Sequence, residues 1–525
     1  MHIGRKKSLS SGGLGVAALA GVGLLVQATL VQAGAGVDWP AYNNDYMGQR
    51  YQRLKQINTR NVAELKEVCR VQLQEGGPFQ TGTVVIDGVM YVTTARLTFA
   101  LDAATCKEKW RHAYESARED VWPVNRGVAV INGRVIRGTP DGHLLALDAQ
   151  SGALIWQNMV GDSLLGEFLS GAPIGWNGLV FTATAGSDWG VRGRVLAFDV
   201  LTGREVWRFD TIPTGDQPGA ETWQNKKSAL TGGGGSWSTL SLDITTGELF
   251  VPVGNPAPDM FPDYRPGDNL YTDSLVVLDA RTGALKWYHQ VKANDGIDHD
   301  LGAAPTLFRS PDIQDIVVFG GKDGFVTAID RATRKPIYRV PVTTIDNVAA
   351  RPTDAGVHVC PGLLGGVEWN GGSYDPVNGA IYFGAVDWCG TFKKGDAKYV
   401  AGEFFFGGEP TLDPPDQAAG WVTSLNAVSG EVKWKYKAAK PVVSGITSTS
   451  GGVVFGGDTG GNFFALDSQT GKPLYTLATQ GMIAGGVVTY QAGGKQYVAL
   501  TSGNVSRITF GELGNPTLIV LGLPN

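Results

Sequence analysis

The segment Asp148-Ala149-Gln150-Ser151-Gly152-Ala153-Leu154-Ile155-Trp156 decides the fold. It follows the apolar run Leu144-Leu145-Ala146-Leu147 and reads as a strand, a tight turn and a second strand. The Asp carboxylate can cap the turn, the Gly supplies a positive φ, and the aromatic eight residues after the acid stands on the returning strand. The same spacing recurs from Asp102 to Trp110, Asp199 to Trp207, Asp279 to Trp287, Asp330 to Tyr338, Asn426 to Trp434 and Asp467 to Tyr475. Each copy is therefore a hairpin whose aromatic packs into the neighbouring unit.

Successive copies lie at distances that suit four-stranded propeller blades, with insertions in the two longest gaps. Those gaps carry hairpins of their own, Asp243-Ile244-Thr245-Thr246-Gly247 and Asp375-Pro376-Val377-Asn378-Gly379, read as the outer hairpins of the units ending in Trp287 and Trp434. After the last copy come strand-like runs, residues 486–490 and 496–501, without the motif. A ring must close without exposed edges, so this tail is expected to complete a blade with an N-terminal strand. The prediction is an all-β, eight-bladed β-propeller; seven blades are the alternative. No long helix is expected beyond the N-terminal apolar stretch, and no linker marks a second domain. The composition agrees: 74 Gly and 14 Trp among 525 residues favour short strands and tight turns. A net charge of -5 offers no clustered basic excess, which excludes nucleic acid as a partner.

Arg5-Lys6-Lys7, the apolar stretch from Gly12 to Val31 and the small-residue site Val31-Gln32-Ala33 have the layout of a secretory signal. Residues 1–33 are accordingly read as a signal peptide and 34–525 as a single propeller catalytic domain, periplasmic and with no stable membrane span after cleavage. An uncleaved anchor is the alternative. Four cysteines, Cys69, Cys106, Cys360 and Cys389, point in an oxidising compartment to two disulfides rather than a metal site. The absence of C-x-x-C-H from the sequence excludes a covalently attached c-type haem within it.

The repeats resemble the tryptophan-docking motifs of the PQQ-dependent (quinoprotein) alcohol dehydrogenases, and the likeness runs over nearly all of the expected mature chain. Propellers with similar blades also serve as cofactor-free scaffolds, so function must be argued from site residues. Gly254-Asn255-Pro256-Ala257-Pro258, with Arg265-Pro266-Gly267-Asp268-Asn269 after it, resembles the family's metal-binding stretch and implies Asn255 as a ligand. Gly232-Gly233-Gly234-Gly235-Ser236-Trp237 resembles the segment whose Trp lies beneath the quinone, where a flat polarisable platform is needed. Ala185-Gly186-Ser187-Asp188-Trp189 resembles the loop bearing a carboxylate ligand, usually Glu and here Asp188, with Gly186 and Ser187 lining the cofactor. In Asn294-Asp295-Gly296-Ile297-Asp298-His299-Asp300, Asp298 matches the general base and metal neighbour, and Asp300 the extra carboxylate of lanthanide-using relatives. On a strand, residues two apart share a side, so both could face one ion. Arg126 and Lys322 match the cations that balance the PQQ carboxylates, Ser170 matches a hydroxyl donor to the cofactor, and Gln80 stands near a cofactor carbonyl. The resemblance also pairs Cys360 with Cys389, which leaves Cys69 with Cys106.

The chain departs from the family at three places. Asp120-Val121 replaces the adjacent-cysteine disulfide over the second face of the quinone, so Val121 or Trp122 is expected to cover it. Gln80 stands where Glu is frequent, and Val386 where methanol-oxidising members have Asn, which argues against methanol. The resemblance thus implies a periplasmic dehydrogenase that oxidises an alcohol to aldehyde or ketone by metal-assisted hydride transfer to PQQ. Ca2+ or a lanthanide ion would assist, and electrons would leave to a separate periplasmic cytochrome c or other acceptor. The alternatives are a sugar, polyol or aldehyde dehydrogenase of the same fold, or a cofactor-free scaffold. Loops such as 404–421 would set specificity.

Overall fold

In the computed structural model, which describes residues 38–116, 118–312, 314–506 and 509–524, the repeat at Asp148 is a hairpin between His143–Asp148 and Leu154–Met159. The stretch read as a signal peptide lies outside the described residues. Asp148 Oδ1 accepts hydrogen bonds from the Gln150 and Ser151 N–H groups and from Ser151 Oγ, at 3.1, 2.8 and 2.8 Å. The side chain thus holds the turn that the sequence pattern implies.

Gly152 does more than turn the chain. Its φ is +73°, and a Cβ there would lie 2.5 Å from the Trp110 ring of the preceding repeat. The left-handed turn is the seat on which the previous indole docks. Gly203, Gly283, Gly430 and Gly471 seat Trp156, Trp207, Tyr338 and Trp434 in the same way. Trp110, Trp156, Trp207 and Trp434 also donate their indole N–H groups, each at 3.0 Å, to the carbonyls of Ala149, Val200, Ala280 and Ser468. Two copies put a side chain at this left-handed position, Cys106 (φ +58°) and Arg334 (φ +61°). Gly152→Ala should lose about 2–4 kcal/mol, the sum of left-handed strain and overpacking against Trp110. Urea unfolding of the variant checks this.

The described residues form eight sheets of four or five strands and one of three. The helical structure of the described residues is six short 3-10 segments, and no helix among them is long and apolar enough to cross a membrane. The two outer hairpins fall where expected. Ser241–Asp243 pairs with Glu248–Val253 in the sheet ending at Leu285–Gln290. Ser373–Asp375 pairs with Ala380–Asp387 in the sheet ending at Val432–Ala438. The tail strands Val488–Ala492, Lys495–Ser502 and Thr517–Gly522 take Lys66–Gln72 as their outermost partner, with Cys69 opposite Val520. Early and late chain therefore share one sheet, with Lys66–Gln72 as its edge strand. Both disulfides, Cys69–Cys106 and Cys360–Cys389, are formed.

The core lies between sheets rather than in one central mass. Phe181 and Val195 of one sheet, for instance, pack with Leu249 and Val276 of the next. Residues 38–52 tie the inner strands of the sheets together by backbone hydrogen bonds. Trp39 exchanges two with Val85, and the carbonyls of Tyr46, Met47, Gln49 and Arg50 accept from Leu242, Leu307, Tyr374 and Ser448. Arg50, fully buried, donates to the carbonyls of Tyr42, Ile446 and Val487. Tyr42, Ile446 and Val487 are themselves buried, so the guanidinium supplies the donors their carbonyls need.

Candidate active site

The loops between inner strands surround a cavity of about 520 Å³. Trp237 lies in its wall, delivered by a glycine run in which Gly233 and Gly234 take φ +78° and +72°. Gly235 N–H donates to Ser187 Oγ at 2.8 Å, and the Trp237 carbonyl accepts from Arg126 Nη1 (2.7 Å) and Ser170 Oγ (2.8 Å). On one side the indole rests on Gly302, where a Cβ would approach to 2.5 Å. The ring is thereby fixed as a flat surface.

The Arg126 guanidinium carbon lies 4.9 Å from the ring centroids of both Trp237 and Trp369. Burial lowers its pKa to about 10, which still leaves it charged at neutral pH, and its Nε–H has no partner. A buried cation with an unspent donor, stacked between indoles, is a receptor for a flat anion.

Lys322 supplies the second charge. Its Nζ lies 2.6 Å from Asp298 Oδ2 and 3.2 Å from Asp300 Oδ2, and Asp300 Oδ1 accepts the Asn255 N–H at 2.8 Å. Gly254 is required here, because a Cβ would come within 2.3 Å of Asp300 Oδ1. Carboxylate oxygens of Asp188, Asp259 and Asp298 all lie within 4.8 Å of one another. Burial, with repulsion from Asp300, pushes Asp188 up to about 6. Burial raises Asp298 well above the usual range, since the opposing Lys322 ammonium is offset by Asp300 and Asp188. Burial, with repulsion from Asp300, pushes Glu368 up to about 7 against the pull of Lys322 and Arg126. Such crowding of hard oxygen donors is unfavourable without a counter-charge and suits a cation that prefers oxygen. The buried oxygens Asn255 Oδ1, Asp298 Oδ1 and both of Asp259 have no hydrogen-bond partner. The residues present thus fit a hard cation beside a flat anion.

Gln80, Arg126, Ser170, Gly186, Ser187, Asp188, Trp237, Asp298, Asp300 and Lys322 all line this cavity, and Asn255 is joined to it through Asp300. The expected strand at Asp298 and Asp300 is not formed. Both lie in irregular backbone, Asp298 with φ +59°, and they converge on one ammonium through loop geometry instead of strand alternation. Gln80 donates to the Val505 carbonyl at 3.1 Å and keeps its buried Oε1 free. In place of the adjacent cysteines, Trp122 lines the cavity, meeting Trp189 and Phe404 edge-on at 6.1 and 6.5 Å. Val121 packs behind it with Phe168 and Trp189, and Asp120 turns to Arg96 at 2.6 Å. Val386 is a buried strand residue bonded to Gly366, outside the lining. Asp259, Glu368, Trp369 and Phe510 belong to the site and escaped the sequence reading. Asp259 directly follows the Asn255 motif, a signal that could have been used.

An indole floor, two buried cations and a carboxylate cluster in one propeller cavity can hold a planar polyanion beside a hard cation, as a cofactor-dependent enzyme requires. The family model for the glucose/ethanol/alcohol dehydrogenase β-propeller domain matches residues 39–350, and residues 418–508 match that for the outer membrane protein assembly factor BamB. Quinohemoprotein alcohol dehydrogenase ADH IIB of Pseudomonas putida is 30% identical over 92% of this chain and 76% of its own length. Quinoprotein alcohol dehydrogenase PedH of Pseudomonas putida is 31% identical over 87% and 84%. A europium-containing methanol dehydrogenase structure superposes with a TM-score of 0.86 at 25% identity, covering 94% of this chain and 99% of that one. BamB from Moraxella catarrhalis, at 14% identity and a TM-score of 0.52, shares the fold alone. The chain belongs to the PQQ-dependent quinoprotein alcohol dehydrogenase family and is an enzyme of that kind.

Proposed function

We propose that this chain is a periplasmic dehydrogenase, an eight-bladed ring that oxidises alcohols with an apolar tail and passes the electrons to a separate cytochrome c or similar acceptor. The eight sheets of four or five strands, the last shared by early and late chain, support the closed ring. Two disulfides and the signal-like N-terminus support export. When bound, PQQ supplies the two-electron oxidant and Ca2+ or a lanthanide the Lewis acid. Trp237 provides the platform, Arg126 and Lys322 the fixed charge for the cofactor's carboxylates, and Gln80, Ser170, Gly186 and Ser187 the surrounding polar surface. Asn255, Asp188, Asp298 and Asp300 hold the cation. Asp298 accepts the substrate hydroxyl proton.

The observation that carries this reading is Asp298 itself: buried, its Oδ2 fixed 2.6 Å from Lys322 and its Oδ1 unspent. The apolar tail follows from Trp122, Trp189, Leu363, Leu412, Phe404 and Phe510 around the cavity. The extra hydroxyls of a sugar or polyol would lose water there without gaining partners. Purified protein loaded with PQQ and Ca2+ or La3+ should reduce a dye with 1-butanol or benzyl alcohol at a kcat/KM at least tenfold above that with sorbitol. No turnover with any metal on a panel of alcohols, polyols and aldehydes would reject the enzyme assignment of this site, and a preference for sorbitol would reject the apolar-tail reading.

A further inference from the structure

We infer that Asp259 is itself a ligand of the bound cation and makes the site selective for trivalent over divalent ions. The inference rests on the reading of Asp188, Asn255, Asp298 and Asp300 as the cation's other ligands.

Three observations carry it. First, Asp259 is 1% exposed, and neither carboxylate oxygen has a hydrogen-bond partner. The cations nearby are already spent. Lys322 bonds Asp298 and Asp300, while Arg265 donates to the carbonyls of Pro258, Asp259 and Asp295 and to Asn269 Oδ1. A carboxylate buried without donors is costly unless an ion meets it.

Second, oxygens of three carboxylates share one space. Asp259, Asp188 and Asp298 present oxygens within 4.8 Å of one another. Two oxygens on one hard cation, each at roughly 2.3–2.6 Å, can lie no more than about 5 Å apart. The buried amide oxygen of Asn255, four residues before Asp259 on the same loop, is unpaired as well. Arg265 clamps the main chain of this loop to that of Asp295, and Met260 N–H bonds the Phe406 carbonyl at 2.7 Å. The carboxylate is held where it stands.

Third, the charges do not balance for a divalent ion. Among Asp188, Asp259, Asp298 and Asp300 the one ammonium bonded is Lys322, on Asp298 and Asp300, while the Arg265 guanidinium near Asp259 is shared with Asp273 and Asp295. A divalent ion would leave buried negative charge uncompensated, whereas a trivalent ion neutralises it. Without Asp259 the same count would suit a divalent ion.

The full chain, stripped of metal by chelation and supplied with PQQ, is titrated with Eu3+ and with Ca2+, and Eu3+ luminescence lifetimes in H2O and D2O count the waters on the bound ion. Asp259→Asn should weaken Eu3+ at least tenfold and Ca2+ less than threefold, and add at least one water to bound Eu3+. The exposed control Asp216→Asn should match wild type. Asp259→Ala should shift in the same direction; if it does not fold, the near-isosteric Asn variant carries the test alone. Wild-type affinity and hydration in Asp259→Asn, with wild type binding Eu3+ normally, would overturn the role of Asp259 and leave the site intact. Equal weakening of both ions would overturn the selectivity. Failure of wild type to bind either ion would overturn the cation site itself.

Discussion

Asp298→Asn should retain PQQ and lose alcohol turnover by about 100- to 10,000-fold, the usual worth of a positioned general base. The substitution keeps the shape and removes the ability to accept a proton. Asp298 Oδ2 is engaged by Lys322, so the proton must go to Oδ1, which has no partner. Asn would present either an amide donor or a weakly basic carbonyl in that place. Reduction kinetics in a single turnover, with PQQ content measured by absorbance, separate the two roles. A variant that loses PQQ in proportion to activity would make Asp298 a binding residue only, and near-normal turnover would assign the base elsewhere.

Arg265→Met should cost about 3–5 kcal/mol of stability, the loss expected when one partner of a buried charged network is removed. Arg265 has no exposed surface and bonds the carbonyls of Pro258, Asp259 and Asp295 and the Asn269 side chain. Methionine fills part of the volume but leaves those acceptors dry and removes the guanidinium charge near the carboxylates of Asp259 and Asp273. Lysine should recover little, because one ammonium cannot span acceptors arranged around a planar fork. Urea unfolding of metal-free protein reads the loss. A change below about 1 kcal/mol, the size of an ordinary surface substitution, would show that the loop around Asn255 and Asp259 is held by other contacts.

The repeats were legible because their physics is local. Asp caps its own turn, Gly takes the left-handed conformation, and the aromatic eight residues on is placed by the hairpin register. Even there, the double duty of Gly152 was hidden, since the ring that needs its missing Cβ belongs to Trp110 in another repeat. The strap at 38–52 was invisible for a related reason. It has almost no periodicity, and its backbone bonds go to strands as distant as Ser448. At Asp298 and Asp300 the side chains meet at Lys322, although irregular backbone and a positive φ replace the expected strand.

The division follows the range of the forces. Turn capping, left-handed glycines and aromatic spacing act within about ten residues, so the amino-acid order alone determines an all-β repeat protein, its hairpins and the family to which its motifs point. The apposition of Asp188, Asp259, Asp298 and Lys322 depends on loops from different sheets meeting around one cavity. Whether each oxygen is spent or free depends on what packs beside it. Only the folded ring decides that Asp259, an ordinary acid in the sequence, stands buried and unpaired among the other carboxylates, because burial and missing donors are properties of surroundings and not of a residue.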